Sequence, residues 1–163
     1  TWAGYTLTAE EHFEGLHHAL DVVAREKRFL AFLQAPPLED SLAFYRHIVT
    51  NDLCQFVALE DEKVVGWCDV LPTHGEARAH VGHLGIGLVS HARHKGLGVR
   101  LLEPTITKAH AKGITRIELA VRADNLNAKA LYERFGFKVE GVQCNCFLVG
   151  DKYHDAYAMA LLS

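Results

Sequence analysis

The chain has 163 residues, 49% hydrophobic and 23% charged, which suits one globular domain with a core large enough to fold alone. A net charge of −3 argues against binding to nucleic acid or a membrane surface, both of which favour a basic face. No apolar run approaches the roughly 20 residues that span a bilayer. The opening TWAGYTLTAEEHFEG lacks the charged-then-apolar order of a secretion signal, so a cytoplasmic protein is expected. The first residue is Thr rather than Met, so trimming of a few residues is also expected.

Residues 9–27, AEEHFEGLHHALDVVAREK, place Phe13, Leu16, Leu20, Val23 and Ala24 at helical spacing and predict an amphipathic helix. QAPPL at 34–38 breaks the chain. EDSLAFYRHIVTND then predicts a second helix with Leu42, Phe44, Tyr45, Ile48 and Val49 on its apolar side. From Cys54 the period changes. CQFVALE reads as a strand, DEK as a tight turn and VVGWCDVLP as the return strand of a hairpin. HVGHLGIGLVS (80–90) predicts a long, glycine-punctured central strand. The loop RHKGLG follows, and then a helix from Leu97 to Lys112 closed by Gly113, with a kink expected at Pro104. RIELAVRA (116–123) predicts another buried strand. DNLNAKALYERFG predicts a helix capped by Asp124 or Asn125, striped by Ala128, Leu131, Tyr132 and Phe135, and ended by Gly136. FKVEGVQCNCFLVG and KYHDAYAMALL read as a closing antiparallel pair. Strand–helix–strand in the middle demands a parallel pair with a right-handed crossover, and hairpins at both ends demand antiparallel pairing. The expected fold is a mixed-sheet α/β layered domain over residues 1–163.

The four cysteines, Cys54, Cys68, Cys144 and Cys146, read as reduced core residues. Cys144 and Cys146 would point both thiols to one side of a strand, without the C-x-x-C spacing usual for zinc. Eleven histidines include the groups His74, His80, His83 and His91, His94, but no pair has the i,i+4 spacing of helical metal ligands. No metal is expected.

The functional signal lies in the loop between the central strand and its helix. A helix N-terminus carries unpaired N–H groups and partial positive charge, which suits an anion. Gly96 and Gly98 remove side chains, which lets successive N–H groups converge on a phosphate, while Arg93, His94 and Lys95 add charge. The loop is neither a Walker motif nor G-x-G-x-x-G. Taken alone, it reads equally as a glycine-rich turn.

With these residues quoted, the sequence resembles the GNAT superfamily of acetyl-CoA-dependent N-acetyltransferases. The signature R/Q-x-x-G-x-G/A matches Arg93, Gly96 and Gly98. A second, N-x-x-A-x-x-L-Y-x-x-x-G-F, matches Asn125, Ala128, Leu131, Tyr132, Gly136 and Phe137 without a gap. The match covers about residues 54–162, the cofactor-binding sheet core, and looks closest to ribosomal-protein and small-amine acetyltransferases. Residues 1–52 carry no matching motif and are expected to form helices on the acceptor side. The resemblance implies a largely antiparallel sheet with a splayed parallel pair and helices on both faces. Pantetheine would lie in the splay against backbone groups of Ile86 and Leu88, and the pyrophosphate would sit on the loop. Gly85 and Gly87 would fit a bulged strand that another backbone approaches closely.

Acetyl transfer to an amine needs a base for the ammonium proton, a donor for the oxyanion (a backbone N–H near Leu88) and an acid for the departing thiolate. The resemblance gives the acid's role to Tyr132, which otherwise reads as a helix aromatic packed in the core. It also implies a glutamate at the position of His83 or of Ala120, and neither is present. His83 and Glu118, which shares a strand face with Ala120, are the alternatives, beside a water relay. The expected partners are acetyl-CoA and an amine acceptor, with a homodimer compatible with the resemblance. A non-catalytic acyl-CoA-binding sensor is the competing reading. A different nucleotide-binding protein would not need the match from Asn125 to Phe137.

Overall fold

In the computed structural model, which describes residues 3–163, the chain runs β1 (Ala3–Leu7), α1 (Phe13–Arg25), α2 (Leu38–Thr50), β2 (Cys54–Glu60), β3 (Lys63–Pro72), β4 (Val81–Leu88), α3 (Leu97–Ala111), β5 (Arg116–Arg122), α4 (Leu126–Arg134), β6 (Lys138–Val149) and β7 (Lys152–Leu162). The expected domain span and the reading of the opening segment both involve residues 1 and 2, which lie outside the described residues. Seven strands form one sheet in the order β1-β2-β3-β4-β5-β7-β6. Every neighbouring pair is antiparallel except β4 with β5, which is parallel and joined through α3.

Local chemistry explains most element boundaries. The β2–β3 hairpin turns at Asp61 and Glu62, both at positive φ (52° and 66°), the primed-turn geometry that matches strand twist. Asn125 caps α4 by accepting from the Ala128 N–H at 3.3 Å, which settles the choice between Asp124 and Asn125. Pro104 sits inside α3, which continues past it to Ala111.

The sheet is covered on both faces. Cys54 Sγ donates to the Thr105 carbonyl at 3.2 Å, so α3 lies on the face to which Cys54 and Cys68 point. Gly98 of α3 approaches Leu131 of α4, which puts both helices on that face. The other face carries α1 and α2, with Gly15 against Val64 and Tyr45 beside Asp69. Leu16, Ile48, Leu102, Ile117 and Met159 are each at most 1% exposed within the core these layers enclose. Truncating one of the larger members, such as Leu102→Ala, costs about 2–5 kcal/mol.

Four expectations are corrected. Residues 1–52 hold a strand as well as helices, because AGYTL pairs with β2 from Ala3↔Glu60 to Leu7↔Phe56. This edge strand leaves Tyr5 and Leu7 exposed, so burial imposed no alternation on it. In α2 only Ser41, Tyr45 and Ile48 are buried, while Phe44 and Val49 face outward. The β3–β4 register runs from Gly66↔Leu88 to Pro72↔Gly82 without a bulge. Side chains, not a backbone, crowd the glycines there: a Cβ on Gly87 would lie 2.4 Å from the Trp67 ring, and one on Gly85 would lie 3.0 Å from Asp69 Oδ1. Finally, Cys54 and Cys68 are buried but Cys144 and Cys146 are exposed. They flank Asn145 at φ 52°, where a register shift interrupts the strand alternation that would align the two thiols.

Candidate active site

The parallel pairing of β4 with β5 covers only Val81↔Arg116, Gly82↔Ile117 and His83↔Glu118, after which the strands part. Two bonds fix which backbone groups line the opening. Val89 N–H donates to Val65 O at 2.9 Å, and Thr73 N–H donates to Val81 O at 3.4 Å. In an antiparallel ladder such bonds recur at alternate residues, so the odd-numbered residues of β4 face β3. The N–H and C=O groups of Ile86 and Leu88 therefore face the gap. This is the edge against which an extended amide chain can pair.

Beyond β4 the chain reaches Gly96, which caps α3 at φ +78°, a left-handed conformation open to glycine. The first bond of the helix is Arg100 N–H to Gly96 O at 3.2 Å. Among the described residues, the N–H groups from His94 to Val99 have no main-chain acceptor. Nothing lies within 4 Å of a Cβ placed on Gly96, whereas one on Gly98 would meet Leu131 Cδ2 at 3.1 Å. The two motif glycines thus do different work: Gly96 turns the chain and clears the approach, and Gly98 lets α4 close against α3.

The resulting cleft, about 730 Å³, is lined by Ile86 and Leu88, by Arg93, His94, Gly96, Gly98 and Val99 of the loop and helix start, and by Asn125, Ala128, Leu131 and Tyr132 of the α4 segment. Arg28, His94 and Arg134 stand along it as cationic or ionisable groups. Its size, apolar inner wall and unpaired donors fit a long ligand ending in a polyphosphate. A second hollow of about 870 Å³ between α1 and the β2–β3 hairpin is lined by Glu11, Glu14, Glu60 and Glu62, a charge that repels such a ligand.

Several predicted residues have unexpected surroundings. The Arg93 guanidinium is bound on every side. Its Nε donates to Leu88 O at 3.0 Å, both terminal nitrogens bind the Glu26 carboxylate, and the plane stacks over Phe29 at 4.5 Å. Arg93 therefore ties the α1–α2 loop to the end of β4, with its charge neutralised. Arg122 does the same from β5, donating to Lys27 O at 2.9 Å and to both oxygens of Asp124. Lys95 leans toward Glu60 at 3.7 Å, and Leu97 is buried in the core, so neither side chain lines the cleft. Glu26, Phe29 and Arg122 carry no motif, and their roles come from contacts across the chain.

Tyr132 is 7% exposed, packs at 5.8 Å against Phe137, and borders the cleft. Burial beside Cys68 pushes its hydroxyl well above the usual tyrosine range, and that hydroxyl finds no partner among the described residues. His83 is exposed on the α1–α2 face. Glu118, its neighbour across the parallel pair, binds Arg78 at 2.6 Å and Arg116 at 2.9 Å. Burial pushes the Glu118 carboxyl up, but Arg116 and Arg78 outweigh this and hold it below the usual range.

The sequence profile of the Acetyltransferase (GNAT) family matches residues 15–137. The L-amino acid N-acetyltransferase AaaT of Escherichia coli K12 is 32% identical over 129 residues, 78% of this chain and 80% of that protein. The [ribosomal protein bS18]-alanine N-acetyltransferase of Salmonella typhimurium is 39% identical over 67 residues, 41% of this chain and 45% of that protein. In fold, the chain superposes on the phosphinothricin acetyltransferase of Sinorhizobium meliloti, solved in complex with acetyl-CoA. The TM-score is 0.91 at 17% identity, covering 99% of this chain and 89% of that one.

Proposed function

The chain belongs to the GNAT acetyltransferase family and is an acetyl-CoA-dependent N-acetyltransferase, and on that premise we propose that it acetylates the primary amine of a small molecule or a protein N-terminus, with Tyr132 as general acid. The observation that carries this reading is one continuous path. A row of unpartnered N–H groups from His94 to Val99 leads into a gap edged by Ile86 and Leu88, with the unpaired Tyr132 hydroxyl on its wall.

Each part has a chemical task. The N–H groups of the loop hold the pyrophosphate, and Asn125 fixes the start of α4 beside it. Gap-facing groups of Ile86 and Leu88 pair with the pantetheine amides, and a gap-facing N–H stabilises the oxyanion as the amine attacks. Tyr132 then donates to the departing thiolate. Burial keeps its proton on at working pH, and the same burial penalises the thiolate, so desolvation does not set the two against each other. The cofactor half of the reading falls to residues 54–162 and acceptor selection to residues 1–52 with the closing hairpin, as one domain.

The base suggested by Glu118 is weakened by its two arginines, which stabilise the anion and lower its appetite for a proton. His83 stands three residues from Ile86, about 10 Å along a strand, and so would work through water.

The test is an acetyl-CoA turnover screen, read by thiol release, over free L-amino acids, a peptide beginning with alanine, and simple alkylamines. Turnover of one class identifies the acceptor. Acetyl-CoA binding with no turnover on any amine would overturn the reading in favour of a sensor.

A further inference from the structure

Two strand positions beside the gap, Gly85 and Gly87, have no side chain to offer, and the space above them is filled from β3. Trp67 covers Gly87, and Asp69 covers Gly85. We propose that Asp69 is the proton acceptor for the incoming ammonium, reaching the reacting centre from β3 over the bare backbone of Gly85. The proposal rests on the acetyl-transfer reading above and supplies the base missing from the positions of His83 and Ala120.

Asp69 is 9% exposed and has no lysine or arginine partner among the described residues. An unpaired buried carboxylate is costly, and packing alone gives no reason to keep one. Its orientation is built with care. Gln55 Nε2 donates to Asp69 Oδ2 at 3.0 Å, and Thr8 Oγ1 donates to Gln55 Oε1 at 2.9 Å, which sets the amide's direction. That chain engages one carboxylate oxygen and leaves Oδ1, the oxygen nearer Gly85, on the β4 side. Gly85 directly precedes Ile86, whose N–H faces the gap. From Leu88, near whose N–H the oxyanion is expected, Gly85 is about 10 Å along the strand and His83 about 17 Å.

The ionisable groups around Asp69 cannot substitute for it. Tyr45 of α2 is pushed up to about 12 by its own burial, Cys54 of β2 to about 11, and Cys68 well above the thiol range. All three stay protonated at neutral pH, and His83 and Glu118 lie farther along the same sheet face as Asp69. Burial pushes Asp69 itself up to about 7, against the opposing pull of Gln55 and the Gly85 N–H, which puts it near working pH.

The step balances. The ammonium gives one proton to Asp69 Oδ1, the freed nitrogen forms a bond to the thioester carbonyl carbon, and the carbon–sulfur bond breaks. The thiolate takes the Tyr132 proton, the second proton on nitrogen returns to Tyr132 through solvent, and Asp69 releases its proton to solvent.

The experiment compares wild type and Asp69→Asn on the best amine of the screen and on methoxyamine, whose nitrogen is already unprotonated at neutral pH. Wild-type turnover reports on the proposed function, and the ratio of variant to wild type reports on Asp69. Expected for Asp69→Asn are unchanged acetyl-CoA affinity by calorimetry, kcat/KM on the basic amine lower by about 10²–10⁴-fold, and loss of the limb near pH 7. The defect should be smaller on methoxyamine. Gly85→Ala, which crowds Oδ1 but keeps the carboxylate, should lower the same rate and covers the case in which the Asn variant fails to fold. Retention of the wild-type rate and limb by Asp69→Asn, or an equal loss on both amines, would overturn the proposal.

Discussion

Replacing Tyr132 by Phe removes a single oxygen atom from the wall of the cleft. The ring keeps its contact with Phe137 at 5.8 Å and its place as the buried residue of α4. No protein hydrogen bond is lost, so the stability change should stay below the ~1 kcal/mol of an ordinary hydrogen bond. Catalysis should respond far more. Loss of a general acid lowers kcat by about 10²–10⁴-fold, and at 1.36 kcal/mol per decade this adds about 3–5 kcal/mol to the barrier. Because burial raises the hydroxyl's pKa, wild type should show no falling alkaline limb from this group across the usable pH range. The assay is thiol release under saturating acetyl-CoA, paired with calorimetric affinity and a thermal melt. Preserved kcat with a lowered Tm would refute the reasoning and reduce Tyr132 to a core aromatic.

Three further outcomes follow from the geometry. Gly96→Val should lose most acetyl-CoA affinity while Gly96→Asn, which tolerates φ of +78°, loses less; equal affinities by calorimetry would count against the loop as the pyrophosphate site. Arg93→Gln should cost about 2 kcal/mol of stability by releasing Glu26 and the α1–α2 loop, yet the Arg93→Gln, Glu26→Gln double variant should bind acetyl-CoA nearly as wild type does. A large affinity loss in the double variant would mean that Arg93 contacts phosphate directly. Asp69 holds its proton more tightly folded (about 7) than unfolded (3.8). Its contribution to stability is therefore complete below pH 4 and lost as pH rises through 7, up to about 4 kcal/mol. Denaturant titrations should show that slope in wild type and not in Asp69→Asn.

The elements that matched expectation are those whose cause is local. Apolar runs on either side of a tight turn mark β2 and β3, a cap and a closing glycine mark α4, and helical spacing carries α3 past Pro104. The turn from β4 into α3 was legible for the same reason, because a strand, two glycines and a helix start lie within a few residues. β1 escaped notice because it is five residues long and exposes Tyr5 and Leu7, so it bears little periodic signal. Phe44 and Val49 fit the helical period of α2 but not its buried side, which depends on where α1 lies.

By itself, then, the sequence determined the order of elements from α1 onward, the mixed sheet, the glycine-bearing turn into α3 and the place of Tyr132 on α4, since each follows from spacing within one short segment. Only the tertiary structure decided what those residues touch. Arg93 meets Glu26 from 67 positions away, Glu118 meets Arg78, and Gly85 and Gly87 are bare because Asp69 and Trp67 of the adjacent strand occupy their space. Asp69 reads in sequence as an ordinary polar residue in a strand. Its link to Gln55 arises from the pairing of β2 with β3, and its burial and raised proton affinity arise from the packing around it, because desolvation and partner geometry are properties of packing rather than of chain order.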